Sequence, residues 1–150
     1  MIIPDVGAAV ALARVEIDVR WRDLDAFNHV NNSVFLTYLE EARLHWLAGI
    51  GGAWIDAERA PVIAATQVDY RAQIGWPGRV VVTLSCLRVG TSSLTIGHRI
   101  GSADDALLHS EGHVVLVWID PRNGRPVALP DAVRVACEPG ARVVETRHRG

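Results

Sequence analysis

The sequence has no lysine: all 15 of its basic residues are arginine. We read this as genomic base composition, and give an arginine a role only where its position supplies one. Against 17 acidic residues the net charge is −2. No broad basic face of the kind that holds nucleic acid follows from that balance, and no nucleic-acid partner is expected. Cysteine is nearly absent. Cys86 and Cys137 stand far apart and fit no metal or redox spacing, so neither a disulfide nor a cysteine metal site is expected. Cys86 falls in an apolar strand pattern and reads as a small core residue. No apolar run is long enough to span a bilayer, and no membrane partner is expected. The opening "MIIPDVGAAVALA" lacks the basic start of a signal peptide and is broken early by Pro4 and Asp5. It reads as a frayed leader before the first strand of a cytoplasmic protein. Internal repeats, a Gly-x-Ser-x-Gly elbow and a phosphate loop are also missing. Ser92 and Ser93 sit in a hairpin with no local base, so a serine hydrolase is not expected.

What remains is an ordinary globular chain. It has 150 residues, 49% hydrophobic and 21% charged, enough for one domain with a real core. Residues 15–22, "VEIDVRWR", alternate strictly, with Val15, Ile17, Val19 and Trp21 on one face of a half-buried strand. From 33 to 48 the period changes. Phe35, Tyr38, Leu39, Ala42 and Trp46 recur at helical spacing, Asn31 or Asn32 can cap the start, and "GIGG" ends the run. Strand-like segments follow at about 62–71, 79–89, 93–101 and 107–119, separated by "VGTSS" and "GSADDA" and closed by "DPRNGRP". A short helix near 131–136 and a loose polar end complete the chain. Strand, long helix and four-strand meander predict an α+β domain: an antiparallel sheet of about five strands, curved around one central helix, with its core between about 14 and 130.

The connection between the first strand and the helix, "RDLDAFNHVNN", is unusually polar. It holds two Asp, one His and three Asn in eleven residues. By composition alone it is either a well-capped turn or a site.

The longer stretch "DLDAFNHVNNSVFLTYLEEAR" resembles the signature of hotdog-fold acyl-CoA thioesterases of the 4-hydroxybenzoyl-CoA thioesterase type. "VDYRAQIGWPGRVVV", "LRVGTSSLTIGHRI" and "SEGHVVLVWID" continue the resemblance in order, over roughly residues 14–130. It implies a hotdog fold and hydrolysis of an acyl-CoA substrate without a cofactor. It implies Asp25 as the catalytic carboxylate, either general base or nucleophile, and helix-start amides near Asn31 and Asn32 as donors to the thioester oxygen. The chemistry suits this. Thioester hydrolysis builds negative charge on the carbonyl oxygen, and a helix N-terminus offers unpaired N–H groups and a partial positive charge. A carboxylate in the preceding loop can supply the base or nucleophile. Asp23 reads as a loop-ordering residue or a partner for Arg22. His29 reads as a structural or orienting residue. Phe27, Phe35, Tyr38 and Tyr70 are candidates to line the acyl site, the two helix aromatics equally readable as plain core.

Two departures from the family pattern stand out. Asn28 replaces the Gly often found before the His, and Asn tolerates the positive φ such a turn needs. Plant acyl-carrier-protein thioesterases, which share "HVNN", have a functional Asn two residues before the His, where this chain has Phe27. Their arrangement is therefore not carried over. In the resembled enzymes, basic residues near two strand ends contact nucleotide phosphates. The first region is the uncharged Gly90–Ser92, with Arg88 nearby as a substitute; the second falls at Arg125. His109, Glu111 and His113 share one face of the last long strand and read as a polar strip rather than a metal site. The resemblance also implies sheets paired edge to edge as a homodimer or homotetramer. The alternatives are a non-catalytic acyl-CoA binder, a dehydratase on the same fold, and a thioesterase for acyl groups on carrier proteins.

Overall fold

A computed structural model describes residues 9–148. Six strands build one sheet: β1 (Val10–Asp18), β2 (Ala60–Tyr70), β3 (Arg79–Val89), β4 (Ser93–Ser102), β5 (Leu108–Ile119) and β6 (Val144–His148). Helix α1 (Asn32–Gly49) lies between β1 and β2 in the chain, and the short α2 (Asp131–Ala136) between β5 and β6. The order across the sheet is β2-β5-β4-β3-β1-β6, antiparallel except for the parallel β1–β6 pair. The sheet curves around α1 in the hotdog arrangement expected.

The helix forms where the period predicted it. Asn31 caps it by accepting the Ser33 N–H at 2.9 Å, and Gly51, at φ +81, follows its end. Its expected stripe of Phe35, Tyr38, Leu39, Ala42 and Trp46 is buried in one core. That core also holds Val15 and Ile17 of β1, Leu84 of β3, Ile96 of β4 and Leu116 of β5. Fully burying a side chain of this size stabilises the fold by about 1.5–3 kcal/mol. The core is what fixes the helix on the sheet, and so fixes the loop before it.

Three expectations are corrected. The leader was expected to be frayed, but β1 already begins at Val10, with a bulge between Ala11 and Ala13; residues 1–8 lie outside the described residues. Trp21 leaves the buried face it shares by period with Val15, Ile17 and Val19. The strand ends at Asp18, a 3₁₀ turn over Trp21–Asp23 follows, and Trp21 is 70% exposed. The polar end is not loose up to residue 148; residues 149–150 lie outside the described residues. Through Thr146 Oγ1, 2.8 Å from His45 Nδ1, and Arg142, donating to the Gly49 carbonyl at 2.7 Å, it is tied to α1. Val144 is buried against Gly49, where a Cβ would sit 2.8 Å from its Cγ1. The core therefore reaches beyond both ends of the span expected for it.

The interior also holds polar groups. On α1, Arg43 is only 7% exposed, and no ion pair among the described residues involves it. His98 of β4 is buried across the ladder from Gly112 of β5, and among the described residues neither of its ring nitrogens has a hydrogen-bond partner. A Cβ on Gly112 would collide with the Gln67 carbonyl oxygen and lie 2.9 Å from His98 Nε2, so only glycine lets the imidazole lie there. Burial first, then the nearby Arg43 guanidinium and His113, push the His98 pKa down to about 4.

His98 is thus neutral in the folded chain at pH values where an unfolded one takes up a proton. Above about pH 6.5 neither state binds that proton, and His98 contributes no slope. Between about 6.5 and 4 only the unfolded state binds it, so stability falls as pH falls, by roughly 3 kcal/mol across the window. Urea unfolding at pH 7 and pH 5 should show about 2 kcal/mol of this loss. His98→Leu is expected to flatten it, and a variant with the wild-type slope would refute the assignment.

Candidate active site

The polar connection folds as a small hairpin. Leu24 and Val30 form an antiparallel bridge, the Asp25 N–H donates to the His29 carbonyl at 3.0 Å, and the Asn28 N–H to the Asp25 carbonyl at 2.9 Å. Asn28 takes φ 63, the left-handed turn its residue type allows. The hairpin is held from outside by Val30 N–H to the Ile74 carbonyl and Asn31 N–H to the Asp23 carbonyl.

Within this frame the Asp25 carboxylate is held at both oxygens. Oδ1 accepts the Phe27 N–H at 2.9 Å, and Oδ2 accepts the Asn31 side-chain amide at 3.1 Å. Asn31 works in both directions, because its Oδ1 accepts from the Ser33 N–H and hydroxyl. It couples the helix cap to the carboxylate.

The same bonds decide which amide stays open. Asn31 N–H is spent on Asp23, Ser33 N–H on Asn31 Oδ1, and Val34 N–H on the Asn31 carbonyl. The Asn32 N–H, first in the helix, donates to no group among the described residues. Of the two expected donors, Asn32 is the one with a free amide.

A cavity of about 390 Å³ opens beside these groups, lined by Asp25, Phe27, His29, Asn31, Asn32, Phe35 and Tyr70. Phe35 and Tyr70 meet edge to face at 5.0 Å, and the Tyr70 hydroxyl donates to the Asn32 carbonyl. His29 lines the cavity, yet no hydrogen bond joins its ring to Asp25, and its buried Nδ1 has no partner among the described residues. Tyr38 is not at the cavity. It is buried, with its hydroxyl donating to Asp23 Oδ2 at 2.7 Å, and burial together with that bond keeps it protonated far above the usual tyrosine range. Asp23 orders the loop as expected, but its charged partner is Arg20, at 3.4 Å, not Arg22. The 3₁₀ turn brings Arg20 round and sends Arg22 outward.

One wall was not anticipated. Arg71, Ala72 and Gln73 also line the cavity. Both the Arg71 and Ala72 N–H groups donate to the His109 carbonyl, and the His109 ring Nδ1–H reaches the Ala72 carbonyl at 3.3 Å. Glu111 pairs with Arg71 at 3.2 Å. His109 and Glu111 thus brace the wall, and among the described residues no three His, Cys, Asp or Glu are grouped to hold a metal. The signal was the block "VDYRAQIG", but nothing in its spacing reveals a clamp formed on another strand.

Arg88 and Arg125 are both exposed and lie toward the other end of the sheet. Tyr70 pairs with Ser110 at the cavity end of β5, while Arg125 directly precedes Pro126, which bridges to Ile119 at the far end. From Ser110 to Ile119 the strand advances roughly 30 Å at about 3.3 Å per residue.

Comparison with known proteins adds three findings. Residues 19–137 match the model of the thioesterase-like superfamily. The chain is 25% identical to the long-chain acyl-CoA thioesterase FadM of Escherichia coli, over 83% of this chain and 96% of that protein. Among solved structures, it is 46% identical to a Xanthomonas campestris protein provisionally assigned as an acyl-CoA thioesterase, with a TM-score of 0.72 over 79% of this chain and 98% of that one. It is 37% identical to a Thermus thermophilus thioesterase solved with coenzyme A and Zn, with a TM-score of 0.71 over 85% and 92% of the two chains.

The Tyr38–Asp23 bond gives a direct test of the loop's anchoring. Tyr38→Phe keeps the ring but takes one donor from a buried carboxylate, and is expected to cost about 1–3 kcal/mol in urea unfolding. An unchanged midpoint would show that Asp23 does not depend on that hydroxyl.

Proposed function

Because the chain belongs to the thioesterase-like superfamily, and is accordingly a thioester hydrolase, we propose that it hydrolyses an acyl-CoA to the free acid and CoA, with Asp25 and the Asn32 amide as its working parts. The observation that carries this reading is the pairing of a fixed carboxylate with one undonated helix-start N–H on the same cavity.

The thioester carbonyl oxygen receives the Asn32 N–H. Charge grows on that oxygen as the tetrahedral intermediate forms, and the helix N-terminus stabilises it more than it stabilises the ground state. Asp25 takes the proton of the attacking water, or attacks the carbon itself and is released by water in a second step. In either route the CoA thiolate leaves and the acyl group departs as a carboxylate. Asn31 is a positioning residue: its side-chain amide fixes Oδ2, leaving the carboxylate little freedom to turn away. Phe27, Phe35 and Tyr70 supply apolar contact to the acyl group.

The coarse reading and the residue roles are tested together. Asp25→Asn keeps the size and removes the basic carboxylate, so turnover of a panel of acyl-CoA thioesters, read by free thiol, should fall at least roughly a hundredfold. Near-normal turnover by the variant would remove Asp25 from the mechanism. Saturable binding with no thiol release by the wild type would favour a binding protein.

Assembly follows from β2. It is an edge strand with Val62 and Ile63 42% and 50% exposed, next to the cavity wall it carries at its end. Such an edge is a template for pairing, and we expect two copies to join along it. Light scattering at micromolar concentration should give at least a dimer, and Ile63→Glu should weaken it. A wild-type monomer would contradict this.

A further inference from the structure

The 3₁₀ turn before Asp25 presents two residues to solvent that the catalytic reading does not use. Trp21 is 70% exposed, and Arg22 is exposed with no ion pair among the described residues. The turn that presents them is rigid. Asp23, buried beneath it, accepts the Arg20 N–H at 2.9 Å and the Tyr38 hydroxyl, and pairs with Arg20. A buried carboxylate thus holds an indole and a free guanidinium side by side facing outward. A second exposed aromatic, Trp76, lies on a segment that runs beside this loop, since Val19 N–H donates to the Gly78 carbonyl and Val30 N–H to the Ile74 carbonyl. Trp21 is four residues from Asp25, at most about 14 Å of extended chain. Phe27, two residues beyond Asp25, is 83% exposed and lines the cavity.

We infer that Trp21 and Arg22 form a nucleotide subsite: the indole stacks on a purine and the guanidinium takes a phosphate. An aromatic face stacks on any base, and a guanidinium matches phosphate oxygens with two parallel N–H groups. An indole beside an unpaired cation calls for an anion that carries a flat ring. Continuity with the cavity calls for that anion to be tethered to the thioester. Adenosine 3′,5′-bisphosphate at the end of CoA meets both conditions. This subsite rests on the acyl-CoA reading above. It differs from the Arg88 and Arg125 expectation, because those residues lie toward the far end of the sheet from Asp25 of the same chain.

The test compares Trp21→Ala, Arg22→Ala and Arg125→Ala with the wild type on two thioesters of one acyl group, acyl-CoA and acyl-pantetheine, which lacks the nucleotide. Both side chains at the turn are exposed, so folding should survive their removal. Trp21→Ala and Arg22→Ala are expected to raise KM for acyl-CoA roughly tenfold or more, with kcat little changed and a far smaller effect on acyl-pantetheine. Direct titration with adenosine 3′,5′-bisphosphate should show binding to the wild type that both variants weaken by a similar factor. If that compound binds the wild type and both variants equally, or if KM moves alike on the two thioesters, the subsite is wrong. It is equally wrong if Arg125→Ala alone raises KM for acyl-CoA, or if Trp21→Ala changes the oligomeric mass, which would assign the patch to a second copy. Nucleotide binding lost in both variants by a protein that cleaves neither thioester would keep the subsite and overturn the hydrolase reading instead.

Discussion

The arrangement depends first on one buried carboxylate. Asp23, 4% exposed, gathers the backbone N–H and guanidinium of Arg20 and the hydroxyl of Tyr38 around its side chain, while its carbonyl accepts the Asn31 N–H. These partners come from the exit of β1, the middle of α1 and the residue that caps α1. An ionised group out of water is tolerable only when it is this fully bonded. Once it is, the strand, the helix and the loop between them can sit in one way. The site inherits its geometry from that anchor.

The division of hydrogen bonds at the helix start follows from the same economy of donors. An α-helix begins with orphan N–H groups, and most chains satisfy them with caps or water. Here the Asn31 side chain, the Asn31 carbonyl and the Asp23 carbonyl consume three neighbouring donors and leave the Asn32 N–H. A carboxylate on the same cavity as an open amide could turn to it. Asp25 is prevented from doing so by the Phe27 N–H and the Asn31 amide. An acceptor and a donor that could satisfy one another are thus kept apart, each available to a third party.

Much of this was legible in the sequence, and the misses share a cause. Period and caps set α1 to within a residue at either end, because its apolar stripe is long and its cap and glycine stops are local signals. The loop that carries Asp25 stood out by composition and by family resemblance. Trp21 was misread because alternation continues in the sequence for four residues after the strand has ended, and the 3₁₀ turn that follows depends on the bond from Asp23 to Tyr38, fifteen residues on. Tyr38 itself satisfied the helical period and gave no sign that its hydroxyl had a buried task. The Arg71–Gln73 wall depends on His109, and β6 on pairing with β1, more than a hundred residues away. Contacts of that separation leave no periodic trace in either partner, and "VETRH" has too few apolar residues to announce a strand.

The parallel pairing of β6 with β1 has a consequence for how the protein is made. β1 enters the sheet between β3 and β6, so one of its two edges stays bare until Val144–His148 has been synthesised. During translation, every residue of the Asp25 loop and the helix after it has left the ribosome long before the strand that completes the sheet beside β1 exists. The nascent chain therefore passes through a stage with its loop and helix translated and an unpaired strand edge exposed, the kind of edge that recruits other chains. That interval is the stretch of its life in which this protein most needs to be kept from its neighbours.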